Sequence, residues 1–287
     1  MQITVECKVC EVKVTTRIDD IKKALDSLKQ FRKHSISPYH ERYAFPFLLG
    51  TYFVYRKIDV IRLFSIAKAI SDNPRYLDVG CGYGDFLNKI REFIPDAIGI
   101  EKNAEIFYSF GISKPDSIKI VDAAWGIEEK YDIIFVGWME PGVDFREAIA
   151  AKTDVIVTTL DQGLSLAAEF DGLGFERIAR WITPSWEDVN TEIMNKYYTR
   201  ISNETREALY RLRSAHNLWY VYSRHPDKSK AIRLALLHRE KEEKNSKDRY
   251  DFEIVLDEFG FGYLESLKYC GINKHHYLWK IIYLNLN

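Results

Sequence analysis

Asp78-Val-Gly80-Cys-Gly82-Tyr-Gly84 sets a carboxylate two residues ahead of three glycines at alternate positions. The run leading into it, Arg75 to Val79, is apolar enough for a buried strand, and Asp85 to Ile94 has helical spacing. A strand that turns into a helix through glycines is a device for holding polar ligand atoms. Glycine admits positive φ and close backbone approach, and a helix start offers unpaired N–H groups. A second short apolar run ends in Gly99-Ile-Glu101, which places another acid at a strand tip, where it suits the two hydroxyls of a ribose. Together these residues predict a site for an adenosine-containing cofactor.

Glycine spacing separates the cofactor classes. A dinucleotide loop needs Gly-x-Gly-x-x-Gly. Here the third glycine comes one residue early, and the position that loop would use is Asp85, a poor neighbour for phosphates. Asp78-x-Gly-x-Gly-x-Gly suits instead a cofactor carrying an ammonium and a sulfonium. The segment resembles motif I of the class I S-adenosylmethionine-dependent methyltransferases, over about residues 74–161 with weaker continuity to about 224.

That resemblance implies an α/β fold, a Rossmann-like seven-stranded mixed sheet with helices on both faces. It implies S-adenosyl-L-methionine as cofactor and direct in-line methyl transfer as the activity. By position, Gly80, Cys81, Gly82 and Gly84 would line the methionine and ribose part, with Asp78 orienting the loop and the amino group. Glu101, followed by Lys102, would take the ribose hydroxyls, and Asp122 and Ala123 the adenine. The carbonyls of Gly137 and Trp138 would receive the ammonium, and Trp125 either covers the adenine or simply packs.

The catalytic candidates are Glu140 and Asp144, as acceptor-binding groups or a general base, and His40 as a base. Asp144 suits an ordinary helix start equally well. Asp161 is a further candidate beside the acceptor, and Tyr39, His40 and Tyr43 are candidates for an aromatic lid. Phe135 to Asp144 departs from the Asn/Asp-Pro-Pro-aromatic pattern of enzymes that methylate exocyclic base amines, which argues against that chemistry. It also lacks the acid set of metal-dependent O-methyltransferases, so no metal is expected. The acceptor stays open between a small molecule, RNA and a protein. A catalytically silent cofactor-binding scaffold and a nucleotide-dependent oxidoreductase are the alternative readings.

Strands are expected at 75–79, 97–101, 118–121, 131–137, 154–160 and 175–181, with helices at 85–94, 104–110, 144–151 and 163–172. Such alternation means a parallel sheet with helices on both faces, and ligands beyond the carboxyl ends of its strands. The resemblance implies a sheet that ends with a strand antiparallel to the rest, and residues 218–223 are assigned to it; 278–284 is the second choice for that closing strand, should 184–249 be an insertion. Three parts follow: 1–73 as a strand and helical lead-in with a lid, 74–225 as the core with a helical insertion at about 184–216, and 226–287 as an extension without assigned role. Helices are also expected at 18–34, 58–70 and 228–249.

The chain has 287 residues, 46% of them hydrophobic, which is ample for a full core. Its longest apolar stretch, Ala44 to Tyr55, falls short of the roughly 20 residues a spanning helix needs. With no signal-like start, a cytoplasmic protein without membrane partner is expected. Four cysteines do not form a disulfide framework in so long a chain, and Cys7-x-x-Cys10 lacks a second half for zinc. Charge is uneven: +5 over residues 1–74, −10 over 75–190 and +4 over 191–287. An acidic centre suits a cationic cofactor, and the basic flanks leave a nucleic-acid role open.

Overall fold

The computed structural model describes residues 55–105, 107, 113–137, 144–160, 170–182, 218–243, 250 and 280–284. The expected helix at 18–34 and the insertion at 184–216 lie outside them.

Short, mostly apolar runs form the centre of the sheet. Strands β1 (Tyr76–Val79) and β4 (Ile133–Val136) are buried at every position, because each has neighbours on both sides and helices or loops on both faces. Around them lie β2 (Ile98–Glu101), β3 (Ile118–Ile120), β5 (Val155–Leu160), β6 (Glu176–Ile182), β7 (Leu218–Ser223) and β8 (Ile282–Tyr283). The order across the sheet is β3-β2-β1-β4-β5-β7-β6-β8. From β3 to β5 all pairs are parallel, whereas β7 runs antiparallel to both β5 and β6.

The sheet has eight strands rather than the expected seven. The extra one is β8, whose two residues pair antiparallel with Ala179 and Arg180 of β6. Residues 218–223 form the antiparallel strand β7, but it lies between β5 and β6 rather than at the end of the sheet, where residues 278–284, the second choice for the closing strand, supply β8. The reason is burial. Five of the six β7 residues are buried, as befits a strand with six partners on β5, while Ile282 and Tyr283 are half-exposed and take the outer edge.

On one face lie α1 (Lys57–Ile70), α2 (Asp85–Arg91) and α4 (Pro226–Glu243). Proline at the first position of α4 is pre-set for a helix start, and the His225 carbonyl accepts the Ser229 N–H at 2.9 Å. Val60, Leu63, Ile66 and Ala67 recur at helical spacing in α1 and are fully buried against the sheet and α4. Burying each of the larger aliphatic side chains contributes about 1.5–3 kcal/mol. Helix α1 is fastened twice. Arg62 forms a bidentate pair with Glu243 at 2.9 and 2.6 Å, and the Trp181 indole N–H of β6 donates to Asp59 at 2.9 Å. Segments on both sides of 74–225 therefore belong to the same apolar core. The opposite face carries α3 (Arg146–Ala150) and a short 3₁₀ turn at Asp171–Leu173.

Candidate functional site

The turn between β1 and α2 runs through three left-handed residues. Gly80, Gly82 and Gly84 have φ of 71°, 57° and 87°, a region that costs other residues energy and glycine nothing. Gly84 is doubly constrained, since a Cβ there would lie 2.6 Å from Ile118 Cδ1. The turn is anchored to the next strand, with the N–H groups of Gly80 and Cys81 both donating to the Ile100 carbonyl, at 2.9 and 3.1 Å. Gly99 permits this contact. A Cβ on it would meet Cys81 Sγ at 2.5 Å and Leu87 Cδ2 at 2.8 Å, so β2 must be bare there for the loop to lie down. Sequence reasoning missed this role, although a glycine among β-branched strand residues is the signal for close approach.

Glu101 closes the loop from the tip of β2. Its Oε2 accepts the Gly82 N–H at 2.9 Å and its Oε1 accepts the Asn103 N–H at 3.0 Å. Each carboxylate oxygen can accept twice, so both keep capacity for a ligand hydroxyl. Asp78 is buried beneath the loop. Burial raises its carboxyl well above the ordinary range, and Asp85 and Glu101 push it the same way. The Cys81 thiol is likewise raised, first by burial and then by Asp78 and Glu101. Three acids thus share one small region, and a cation placed among them relieves their repulsion.

At the tip of β3, Asp122 accepts the Ala124 N–H at 3.0 Å and pairs with Lys102 at 3.0 Å. These bonds, the backbone one first, lower its carboxyl. Ala123 is buried behind it. Trp125 follows in a turn closed by the Gly126 N–H on the Asp122 carbonyl at 2.8 Å. With 81% of its surface exposed, Trp125 is no packing residue, unlike Trp181 and Trp219, which are wholly buried.

At the end of β4 the Gly137 carbonyl accepts the Thr159 hydroxyl of β5 at 2.8 Å. Nothing in the sequence patterning singled out Thr159. Trp138, Glu140, His40, Tyr39, Tyr43, Asp161, Cys7 and Cys10 lie outside the described residues. Asp144 is exposed at the head of α3, where it accepts the Arg146 N–H at 3.1 Å and pairs with the Arg146 guanidinium at 2.6 Å. Led by the Arg146 side chain, these contacts hold its carboxyl at about 2. A group so weakly basic suits the start of a helix better than proton abstraction. Among the described residues no cluster of three His, Cys, Asp or Glu could hold a metal ion.

A cavity of about 610 Å³, lined by Phe64, Phe93 and Tyr131 among others, opens at the amino ends of β1 and β2. It is on the edge of the sheet away from the glycine turn. The carboxyl edge instead brings together Asp78, Gly80, Cys81, Gly82, Gly84, Glu101, Lys102, Asp122, Ala123 and Gly137.

These features define a doubly wound α/β chain with a glycine turn and two strand-tip acids at its carboxyl edge. No protein-family model matches the chain, and no curated protein does so. Among solved structures it is similar to the sugar N-methyltransferase KedS8 from Streptoalloteichus sp ATCC 53650, at 17% identity over 45% of this chain and 54% of that one, TM-score 0.30. It is also similar to Streptomyces venezuelae DesVI, at 11% identity over 43% of this chain and 57% of that one, TM-score 0.30. The chain thus spans little more than half the length of these two, 54% and 57%. A third is magnesium protoporphyrin IX methyltransferase (ChlM) from Synechocystis PCC 6803 with bound SAM, at 11% identity over 72% of this chain and 98% of that one, TM-score 0.40. Likenesses this distant carry nothing about activity or substrate.

Proposed function

We propose that the chain is an S-adenosyl-L-methionine-dependent methyltransferase. The observation that carries this reading is the Asp78–Gly84 turn, left-handed at all three glycines and tied to Glu101 by the Gly82 N–H. The residues present fit the cofactor. A glycine-rich cradle admits it closely, a strand-tip acid retains acceptors for its sugar, and its cationic end would relieve the mutual repulsion of Asp78, Asp85 and Glu101.

When bound, the cofactor supplies an already activated methyl group for displacement by the acceptor. The chain's part is then position and electrostatics. Glu101 accepts the ribose hydroxyls, Asp78 orients the amino group, and Asp122 with Ala123 meets the adenine. The Gly137 carbonyl, with Trp138 beyond it, receives the ammonium. Lys102 holds Asp122 in place and joins the tips of β2 and β3. Glu140 and His40 stay candidates for the acceptor side, and Asp144 serves α3. A small molecule, RNA or a protein remains open as acceptor.

Thermal shift tests the reading. A ligand that binds only the folded state, present at a hundred times its Kd, adds about 2.7 kcal/mol of stability. S-adenosylmethionine and S-adenosylhomocysteine should raise the melting temperature and NAD should not. A shift with NAD alone would overturn the proposal in favour of an oxidoreductase.

A further inference from the structure

Thr159 sits near the carboxyl end of β5, buried to 1% exposure, on the face of the sheet that carries Val157, Phe135 and Trp219. Its hydroxyl donates to the Gly137 carbonyl at 2.8 Å, across 22 residues of chain. The regular parallel register of β4 with β5 ends at Val136↔Thr158, one residue before this contact. A side chain therefore prolongs the pairing where the ladder itself stops. A side chain at position 137 would be crowded, since a Cβ there would approach Phe135 Cε1 at 3.1 Å. The neighbouring Thr158 offers a contrast, for its buried hydroxyl has no hydrogen-bond partner among the described residues.

The geometry points to Thr159 as a positioning residue for the cofactor's amino-acid end, setting the direction of the Gly137 carbonyl. It rests on the cofactor reading above. A carbonyl oxygen has two lone pairs. Thr159 occupies one and fixes the plane, so the other is aimed at whatever cation arrives at the end of β4. Without the hydroxyl, the peptide after β4 is free to turn, and a ligand ammonium must pay for ordering it. The effect is confined to ligands that carry that ammonium.

Calorimetric titration of the full chain with S-adenosylhomocysteine and with 5′-methylthioadenosine, which lacks the amino-acid part, tests this. Competition titration covers weak binding. Thr159→Val removes the donor at nearly constant shape, and Thr159→Ala serves if valine hinders folding. Either should weaken S-adenosylhomocysteine about three- to tenfold, the range of one net hydrogen bond, and leave 5′-methylthioadenosine unchanged. Thr159→Ser should restore the wild-type ratio, and Thr158→Val should not alter it. Equal weakening of both ligands, or an unchanged ratio, would overturn the inference while the cofactor reading stands. A wild-type chain that binds neither ligand would overturn the cofactor reading and this inference with it.

Discussion

Glu101 already accepts two backbone N–H groups, from Gly82 and Asn103, so its carboxylate is aimed before any sugar approaches. Preorganisation of this kind means that little side-chain freedom remains to be lost on binding. Glu101→Ala should therefore weaken S-adenosylhomocysteine by about ten- to a hundredfold in a calorimetric titration, because hydrogen bonds to a charged acceptor are worth about 1.5–3 kcal/mol. Undiminished affinity would mean that the sugar is held elsewhere. Asp78, the three glycines of the turn and Glu101 were legible in the sequence because a tight turn and a strand tip demand particular residue types at short fixed spacing. Gly99 and Thr159 were not. Their partners, Cys81 and Leu87 for one and Gly137 for the other, come from the turn, from α2 and from the residue after β4, tertiary neighbours that a single sequence does not display. Trp125 shows the complementary case: its position was noticed, and only its 81% exposure separates it from an ordinary packing residue.

Helices α1 and α4 were each readable from periodicity, but nothing in either segment announced that they pack together. What joins them is chemistry at long range, the Arg62–Glu243 pair, while the Trp181–Asp59 bond ties α1 to β6, with the Arg62 guanidinium 5.2 Å from the Trp181 ring centre. Such a buried pair costs desolvation of both charges, and losing one partner costs about 3–5 kcal/mol. Asp59 carries a pH signature. Burial outweighs Arg62 and the N–H donors of Arg56 and Trp181, and raises its carboxyl from 3.8 to about 7. A proton therefore binds the folded state more tightly than the unfolded one. The stabilisation from protonated Asp59 is complete below about 3.8 and is lost as pH rises to about 7. Urea denaturation of wild type and Asp59→Asn at pH 5 and pH 8 should show the wild type losing more stability with rising pH. Each pH unit between the unfolded and folded values is worth about 1.4 kcal/mol, so the difference should reach a few kcal/mol. Parallel loss in both proteins would show that Asp59 does not titrate in this range. The segment 278–284 was read as strand-like and ranked second for the closing strand; its two residues in β8 are half-exposed at the sheet edge.

At the scale of the whole molecule, the parallel pairing from β3 to β5 followed from alternating strands and helices, whereas the order of the strands came only with the structure. The charge pattern is equally global: residues 75–190, which include the glycine turn, carry −10 while the flanks are basic. A field of that sign favours a cationic ligand and is screened by salt. Raising sodium chloride from about 50 to about 500 mM should weaken S-adenosylmethionine relative to S-adenosylhomocysteine, which lacks the sulfonium charge, by about twofold, since the Debye length shrinks from roughly 14 to roughly 4 Å. Equal salt dependence of the two would assign the discrimination to local contacts instead. The clasp between Arg62 and Glu243 spans 181 residues, and this bears on how the protein is made. At about 5–20 residues per second, the ribosome needs roughly ten to thirty-five seconds to deliver the second partner after the first. During that interval the oily stripe of helix α1 waits in the open, within reach of chaperones, until residue 243 has emerged.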